Sequence, residues 1–160
     1  MKKYIFLLII SLISVNVIQA QDINQLLKNA SKAGSKQKVD IKKSFKKMSK
    51  EMDMDYEEIP IIGGIDFMET YNFSECKNNE KQALIQHINN VKDSNGYETL
   101  ILSKNEADNT RIMIKKKKDH ITDLLIIHIN NDTPSITRFS GKIKMENIDN
   151  LVKDSEKNIK

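Results

Sequence analysis

Between Tyr97 and Ile143 four apolar or alternating runs are separated by short clusters of turn residues, and no other part of the chain limits the fold so tightly. The runs cover Tyr97–Ser103, Thr110–Lys116, Ile121–Asn130 and Ser135–Ile143. They read as four consecutive β-strands. The connections are Asn105 to Asn109, Lys117-Lys118-Asp119 and Asn131-Asp132-Thr133-Pro134, all with turn chemistry. Links this short join antiparallel neighbours, because a parallel pair needs a long crossover. The third run, Ile121 to Ile129, is the most apolar outside the N-terminus and reads as the central strand. It is apolar on both parities, which predicts that the second face of the sheet is also partly covered.

A further strand is predicted over Ile65–Phe73, where Ile65, Phe67, Tyr71 and Phe73 share one parity and Glu69 interrupts them. Before it, Pro60 pushes Ile59 toward extended geometry, and Gly63-Gly64 permits a tight bend or bulge. Helices are predicted on either side. Asp22 to Ala30 places Ile23, Leu26, Leu27 and Ala30 at helical spacing, ending in the loop-like Ser31-Lys32-Ala33-Gly34-Ser35. Glu80–Lys92 carries a stripe of Leu84, His87, Ile88 and Val91, with Asn95 or Gly96 suited to a left-handed cap. Met145–Lys157 closes the chain, with Met145, Ile148, Leu151 and Val152 on one side. The economical fold is α+β: a mainly antiparallel five-stranded sheet with helices packed on it. One compact unit is expected, with residues 21–58 as its helical N-terminal segment and residues 59–157 as the α+β body.

Residues 1–20 stand apart. Lys2 and Lys3 precede an apolar run from Tyr4 to Ile13, and a small residue, Ala20, closes the segment. This is the order of a secretory signal peptide, with cleavage expected after Ala20. The apolar run is shorter than the ~20 residues a spanning helix needs. Removing it lowers the formal charge from +4 to +2, since the segment holds two lysines and no acid. So small an excess does not imply a nucleic-acid partner. Cys76 is the single cysteine, so an exported chain would be stabilised by packing rather than an internal disulfide.

The charge is instead local. Lys28 to Lys50 holds nine lysines and one aspartate, whereas Glu51 to Glu58 holds five acids and no base. Within the basic part, Ile41, Phe45, Met48 and Met52 repeat at helical spacing, with Lys42, Lys43, Lys46, Lys47 and Lys50 on the remaining surface. That is an amphipathic helix with a narrow apolar stripe, and Asp40 is placed to cap it. Two readings are open. The lysines form a solvated face, or they bind an anionic membrane or ligand.

Catalytic and metal motifs fail on inspection. Gly141-Lys142 is followed by Ile143 and preceded at the required spacing by Ile136, so it is no phosphate-binding loop. Ser140-Gly141 lacks the first glycine of a nucleophile elbow. Cys76 has no local signature pairing it with His87, His120 or His128. His120 and His128 lie eight positions apart on one strand, ~26 Å, and cannot share an ion. The acidic run from Asp53 does not make an EF-hand loop, because Glu58 and Gly64 fall where Gly and Glu are needed. Lys115 to Lys118 sits at a hairpin tip, where lysines keep strand edges soluble. No catalytic residue, cofactor or metal ligand is assigned.

The runs Arg111-Ile112-Met113-Ile114-Lys115, Ile121 to Ile127 and Ile136-Thr137-Arg138-Phe139-Ser140-Gly141-Lys142-Ile143, with a closing helix containing Ile148, carry a family resemblance. Together with the N-terminal segment they resemble a family of small secreted or lipid-anchored Bacteroidetes proteins, domain of unknown function 4252. The resemblance covers roughly residues 23–153. It implies a periplasmic or secreted location and, from the gene context common in the family, a role in envelope signalling. Family members often carry a lipobox cysteine at the cleavage site, and this chain has none there. The expected protein is a non-catalytic envelope component that binds another protein, or else a peripheral binder of anionic surfaces through Lys42, Lys43, Lys46, Lys47 and Lys50.

Overall fold

A computed structural model describes residues 22–52, 62–105, 108–130, 133–146 and 148, with backbone only at 49–52 and 62. The signal-like segment, the acidic run from Asp53 and the chain after Ile148 lie outside the described residues.

The order is α1 (Ile23–Ala33), β1 (Ser35–Asp40), α2 (Ile41–Met52), a 3-10 turn (Ile62–Gly64), β2 (Ile65–Asn72), α3 (Asn78–Asn90), β3 (Tyr97–Lys104), β4 (Asp108–Lys117), β5 (His120–Asn130) and β6 (Thr133–Lys144). The sheet is open, wholly antiparallel and six-stranded, in the order β1-β2-β6-β5-β4-β3. The expected four-strand block is the β3-to-β6 meander, with β5 inside it as anticipated. β2 joins β6, and the chain returns through α3 to the far edge.

The expected five strands become six because Ser35–Asp40 is a strand, paired from Ser35↔Asn72 to Asp40↔Phe67. Its sequence hides it. Lys36, Gln37 and Lys38 are all exposed, so no apolar alternation marks either face. It is an edge strand whose pairing supplies its only strong signal. The preceding helix is longer than expected, reaching Ala33, and the Gly34 N–H closes it on the Ala30 carbonyl at 3.0 Å.

Two apolar clusters flank the sheet. On one face α1 and α3 lie together over Tyr71, Phe73, Tyr97, Met113, Leu125, Ile127, Ile129 and Ile136. α1 contributes Ile23, Leu26 and Ala30, and α3 contributes Leu84, Ile85 and Ile88. Asp22 caps α1, its carboxylate accepting the Gln25 N–H at 2.7 Å. Ser94 Oγ accepts the Ile23 N–H at 3.1 Å, tying the start of α1 to the loop after α3. On the other face Ile65, Ile114, Ile121, Leu124, Ile143 and Ile148 form a second cluster, joined by Ile41 from α2 and by Met145. The apolar character of both parities of β5 is thereby explained.

The strands are not regular. β5 carries an extra residue between Ile121 and Asp123. That bulge reverses the parity downstream, so His120 and His128 point to opposite faces rather than the same one. A second bulge follows the glycine pair, between Ile65 and Phe67. There Gly141 of β6 lies against the backbone at Gly64: a Cβ on Gly141 would sit 2.1 Å from the Gly64 carbonyl oxygen. Asn95, Gly96 and Lys118 take positive φ of 53°, 81° and 57° in the tight connections around β3 and between β4 and β5.

Candidate functional site

The basic helix forms where the spacing placed it. The Asp40 carboxylate accepts the Lys43 N–H at 2.8 Å, and the Ser44 hydroxyl donates to the Asp40 carbonyl at 2.8 Å. These contacts close the first turn of α2. Ile41 and Phe45 are half-buried, but Met48 is 46% exposed, so among the described side chains of the stripe the cover ends after Phe45. Lys42, Lys43, Lys46 and Lys47 are exposed on this helix. Lys43, Ser44, Lys46 and Lys47 border a shallow depression of about 460 Å³. Lys50 lies on the same helix, and its side chain is outside the described residues.

A second polar constellation carries no local motif and comes together only through strand register. On the face that carries α1 and α3, charges alternate across the strands from Lys36 through Glu69, Arg138 and Asp123 to Lys115. Lys36 Nζ lies 2.9 Å from Glu69 Oε1. Arg138 Nη1 lies 3.4 Å from the other Glu69 oxygen. Arg138 also donates through Nε at 2.8 Å and through Nη2 to Asp123 Oδ1. Lys36 and Lys115 each sit 5.7 Å from a ring centre, of Tyr71 and Tyr97 respectively, close enough for cation–π attraction. Glu69 and Asp123 are each only 7% exposed.

Burial by itself would raise the Glu69 carboxyl, but the hydrogen bond and charge of Lys36, with Arg138 beyond, hold it below the usual range. Burial likewise works against the Arg138 guanidinium, and the Asp123 hydrogen bond together with the charges of Asp123, Glu69 and Tyr97 outweighs it and stabilises the cation. Tyr97 is pushed up to about 12, first by burial and then by the Asp123 charge. These groups therefore keep fixed protonation states at neutral pH, which suits a structural ladder better than proton transfer. The sequence does hold a faint signal for it. Glu69 interrupts the inward parity of β2, Asp123 shares parity with Leu125 and Ile127, and Arg138 shares parity with Ile136.

His87, placed by its spacing in the apolar stripe of α3, is only 5% exposed. Its Nδ1 lies 3.1 Å from the Asn29 amide of α1, and its Nε2 has no hydrogen-bond partner among the described residues. Burial lowers its affinity for a proton, partly offset by the charge of Asp22. A groove of about 240 Å³ runs beside it between Asn29, Lys32, Glu80 and Ala83. His128 is half-buried, with its Nδ1 2.8 Å from Thr110 Oγ1 and 3.2 Å from Asp108 Oδ1. The Asp108 contact is an ion-pair distance without good hydrogen-bond geometry, as that oxygen is otherwise unpartnered.

Cys76 is half-buried with its thiol 4.0 Å from Glu80, and burial followed by the Glu80 charge pushes it up, away from a reactive thiolate. Lys116 pairs with Glu98 near the hairpin tip. Among the described residues no three His, Cys, Asp or Glu side chains gather as a metal site, and no helix is long and apolar enough to cross a membrane.

An open antiparallel sheet with two helices laid across one face and a lysine-bearing helix next to its edge strand defines a small α+β protein. The family model for the domain of unknown function DUF4252 matches residues 31–151, and the chain belongs to that family. The match begins inside α1 and takes in all six strands. No curated protein and no solved structure matches the chain significantly.

Proposed function

We propose that the chain is an exported, non-catalytic protein of the cell envelope that works by binding another protein, as a component of envelope signalling or stress response. The export pattern of residues 1–20 supports the location. The observation that carries the binding reading is the outer surface of α2. It shows Lys42, Lys43, Lys46 and Lys47 to solvent with Met48 beside them. A cationic helix surface with a partly open apolar side chain suits an acidic partner that also offers an apolar recess.

The test compares envelope proteins retained by the wild-type chain with those retained by Lys42→Glu/Lys43→Glu/Lys46→Glu/Lys47→Glu. A protein bound by the first and lost with the second supports the reading. Identical retention by both ends it.

The second reading, an anionic membrane surface as the ligand, is favoured by the same row of exposed lysines. Each lysine near such a surface adds ~1 kcal/mol, so reversing four would weaken vesicle binding by on the order of a thousandfold or more. Flotation with phosphatidylglycerol vesicles at low salt decides it, and absence of binding by the wild type rules it out.

A further inference from the structure

Among the described residues the buried polar or charged side chains are Glu69, Asp123 and His87; the first two belong to the ladder, and His87 stands apart from it. A hydrogen bond joins α1 to α3 at this histidine, and its direction is fixed. Gln25 Nε2 donates to Asn29 Oδ1 at 3.0 Å. That turns Asn29 Nδ2 toward His87 Nδ1, 3.1 Å away. Nδ1 is therefore the acceptor, and the neutral ring carries its hydrogen on Nε2. Nε2 has no hydrogen-bond partner among the described residues. A second proton would have to enter at Nδ1, where it meets the Asn29 N–H. Turning the Asn29 amide over would break the Gln25 bond and still leave Nε2 without an acceptor.

The neighbouring charges do not relieve this. From α1, the Asp22 carboxylate is engaged by the Gln25 N–H at 2.7 Å, and Lys32 stands at the rim of the groove. From α3 itself, Glu80 lies on that rim and is exposed. From β4, Arg111 brings a cation to the Val91 carbonyl just beyond α3. In the loop that follows, Asp93 accepts the N–H and hydroxyl of Thr99. The strand residues of the adjoining cluster are apolar or tyrosine.

We propose that α1 is a proton-released cover: protonation of His87 undocks α1 from α3 and opens the apolar cluster beneath it. A buried histidine that biases a two-state element is a device for sensing mild acid. α1 seats Ile23, Leu26 and Ala30 with no exposure, so undocking is uphill at neutral pH and acid enlarges a minor open population. Once α1 lifts, the imidazole meets water and regains its ordinary value of 6.5, above its value in the docked form. His87 thus favours the docked form above 6.5 and ceases to do so as pH falls through the lower docked value. At about pH 5, some one and a half units below the ordinary value, the open form gains up to about thirtyfold. Opening bares the cluster that holds Tyr71, Phe73, Leu84 and Ile88, an apolar surface of the kind a partner protein covers. α2 packs on the other face of the sheet, so this inference is independent of the α2 readings.

Amide hydrogen exchange of the full chain at about pH 7 and about pH 5, corrected for the intrinsic pH dependence of exchange, is the test. The α1 amides should open between about threefold and about thirtyfold more at the lower pH. The β5 amides should remain at least about tenfold better protected than those of α1 at both pH values, which separates release of one helix from global unfolding. His87→Gln should make the opening of α1 equal at the two pH values. Asn29→Asp gives a second, opposite readout. A carboxylate set against His87 Nδ1 pairs with the protonated ring, so acid should then hold α1 down instead of releasing it. An α1 opening that ignores pH in the wild type, α1 amides that exchange only together with those of β5, or acid release unchanged by His87→Gln would each overturn the proposal. So would acid release undiminished by Asn29→Asp.

Discussion

Replacing Arg138 by Met tests whether the charge ladder contributes to stability or merely decorates the sheet. Arg138 is the middle cation. Its side chain is 32% exposed, whereas those of Asp123 and Glu69 are 10% and 9% exposed. Glu69 keeps Lys36 at 2.9 Å after the substitution, so most of the cost falls on Asp123, which loses its guanidinium partner. A hydrogen bond to a charged group contributes ~1.5–3 kcal/mol, and partial exposure of the guanidinium moves the value toward the lower half, to about 2 kcal/mol. In a chain of this size that corresponds to a fall in Tm of about 4–8 °C.

Adding Asp123→Asn to Arg138→Met removes the stranded charge and should recover about half of the loss. The coupling in the double-mutant cycle should then be at least about 1 kcal/mol, the recovered part of the loss plus whatever Asp123→Asn costs alone. Urea unfolding followed by circular dichroism gives all four stabilities, with unchanged m-values showing that the unfolded state is not responsible. Repeating the cycle at ~1 M salt separates a shielded pair from a screened one. A coupling under about 0.3 kcal/mol, or one abolished by salt, would refute the reasoning and reduce the ladder to an ordinary surface pair.

Three other outcomes are expected. Gly141→Ala should destabilise by about 1–3 kcal/mol in urea melts, because its Cβ would collide with the Gly64 carbonyl and force β2 from β6; a stability within error of wild type contradicts the close approach. Burial depresses the proton affinity of His87 in the folded state, so its contribution is fully present above its ordinary value of 6.5 and is lost as pH falls through the depressed folded value. Unfolding midpoints measured from neutral to mildly acidic pH should therefore fall less steeply for His87→Gln, and equal slopes would locate the effect elsewhere. The Glu69 carboxyl is lowered by Lys36, so its stabilising contribution is present above its ordinary value of 4.5 and disappears as pH drops through the lower folded value; Glu69→Gln should flatten that acid limb, and an unaltered acid transition would count against the pairing.

Much of the architecture was legible because periodicity and turn chemistry agree over the meander. Alternation or apolar runs marked β3 to β6, Asn95-Gly96 and Lys117-Lys118-Asp119 marked connections, and Leu84 and Ile88 marked α3. The basic helix was legible too, down to its Asp40 cap, since capping and stripe are local properties. The ladder was harder. Glu69 looked like an interruption in a strand, and only the register that sets it beside Arg138 turns it into a partner.

What the order of residues alone determined is the local part: helix and strand periods, the Asp40 cap of α2, the glycine and asparagine turns and the charge reversal at Glu51. The tertiary structure decided the rest. It recruited Ser35–Asp40 as a sixth strand, because backbone hydrogen bonding to β2 does not require an apolar side chain and leaves no pattern to read. It sent His120 and His128 to opposite faces through one extra residue in β5, and it buried His87 between α1 and α3. It also left Leu100 and Leu102 at an unpaired edge. Periodicity records which side chains share a face, but which face is covered, and by what, depends on contacts between residues far apart in the chain.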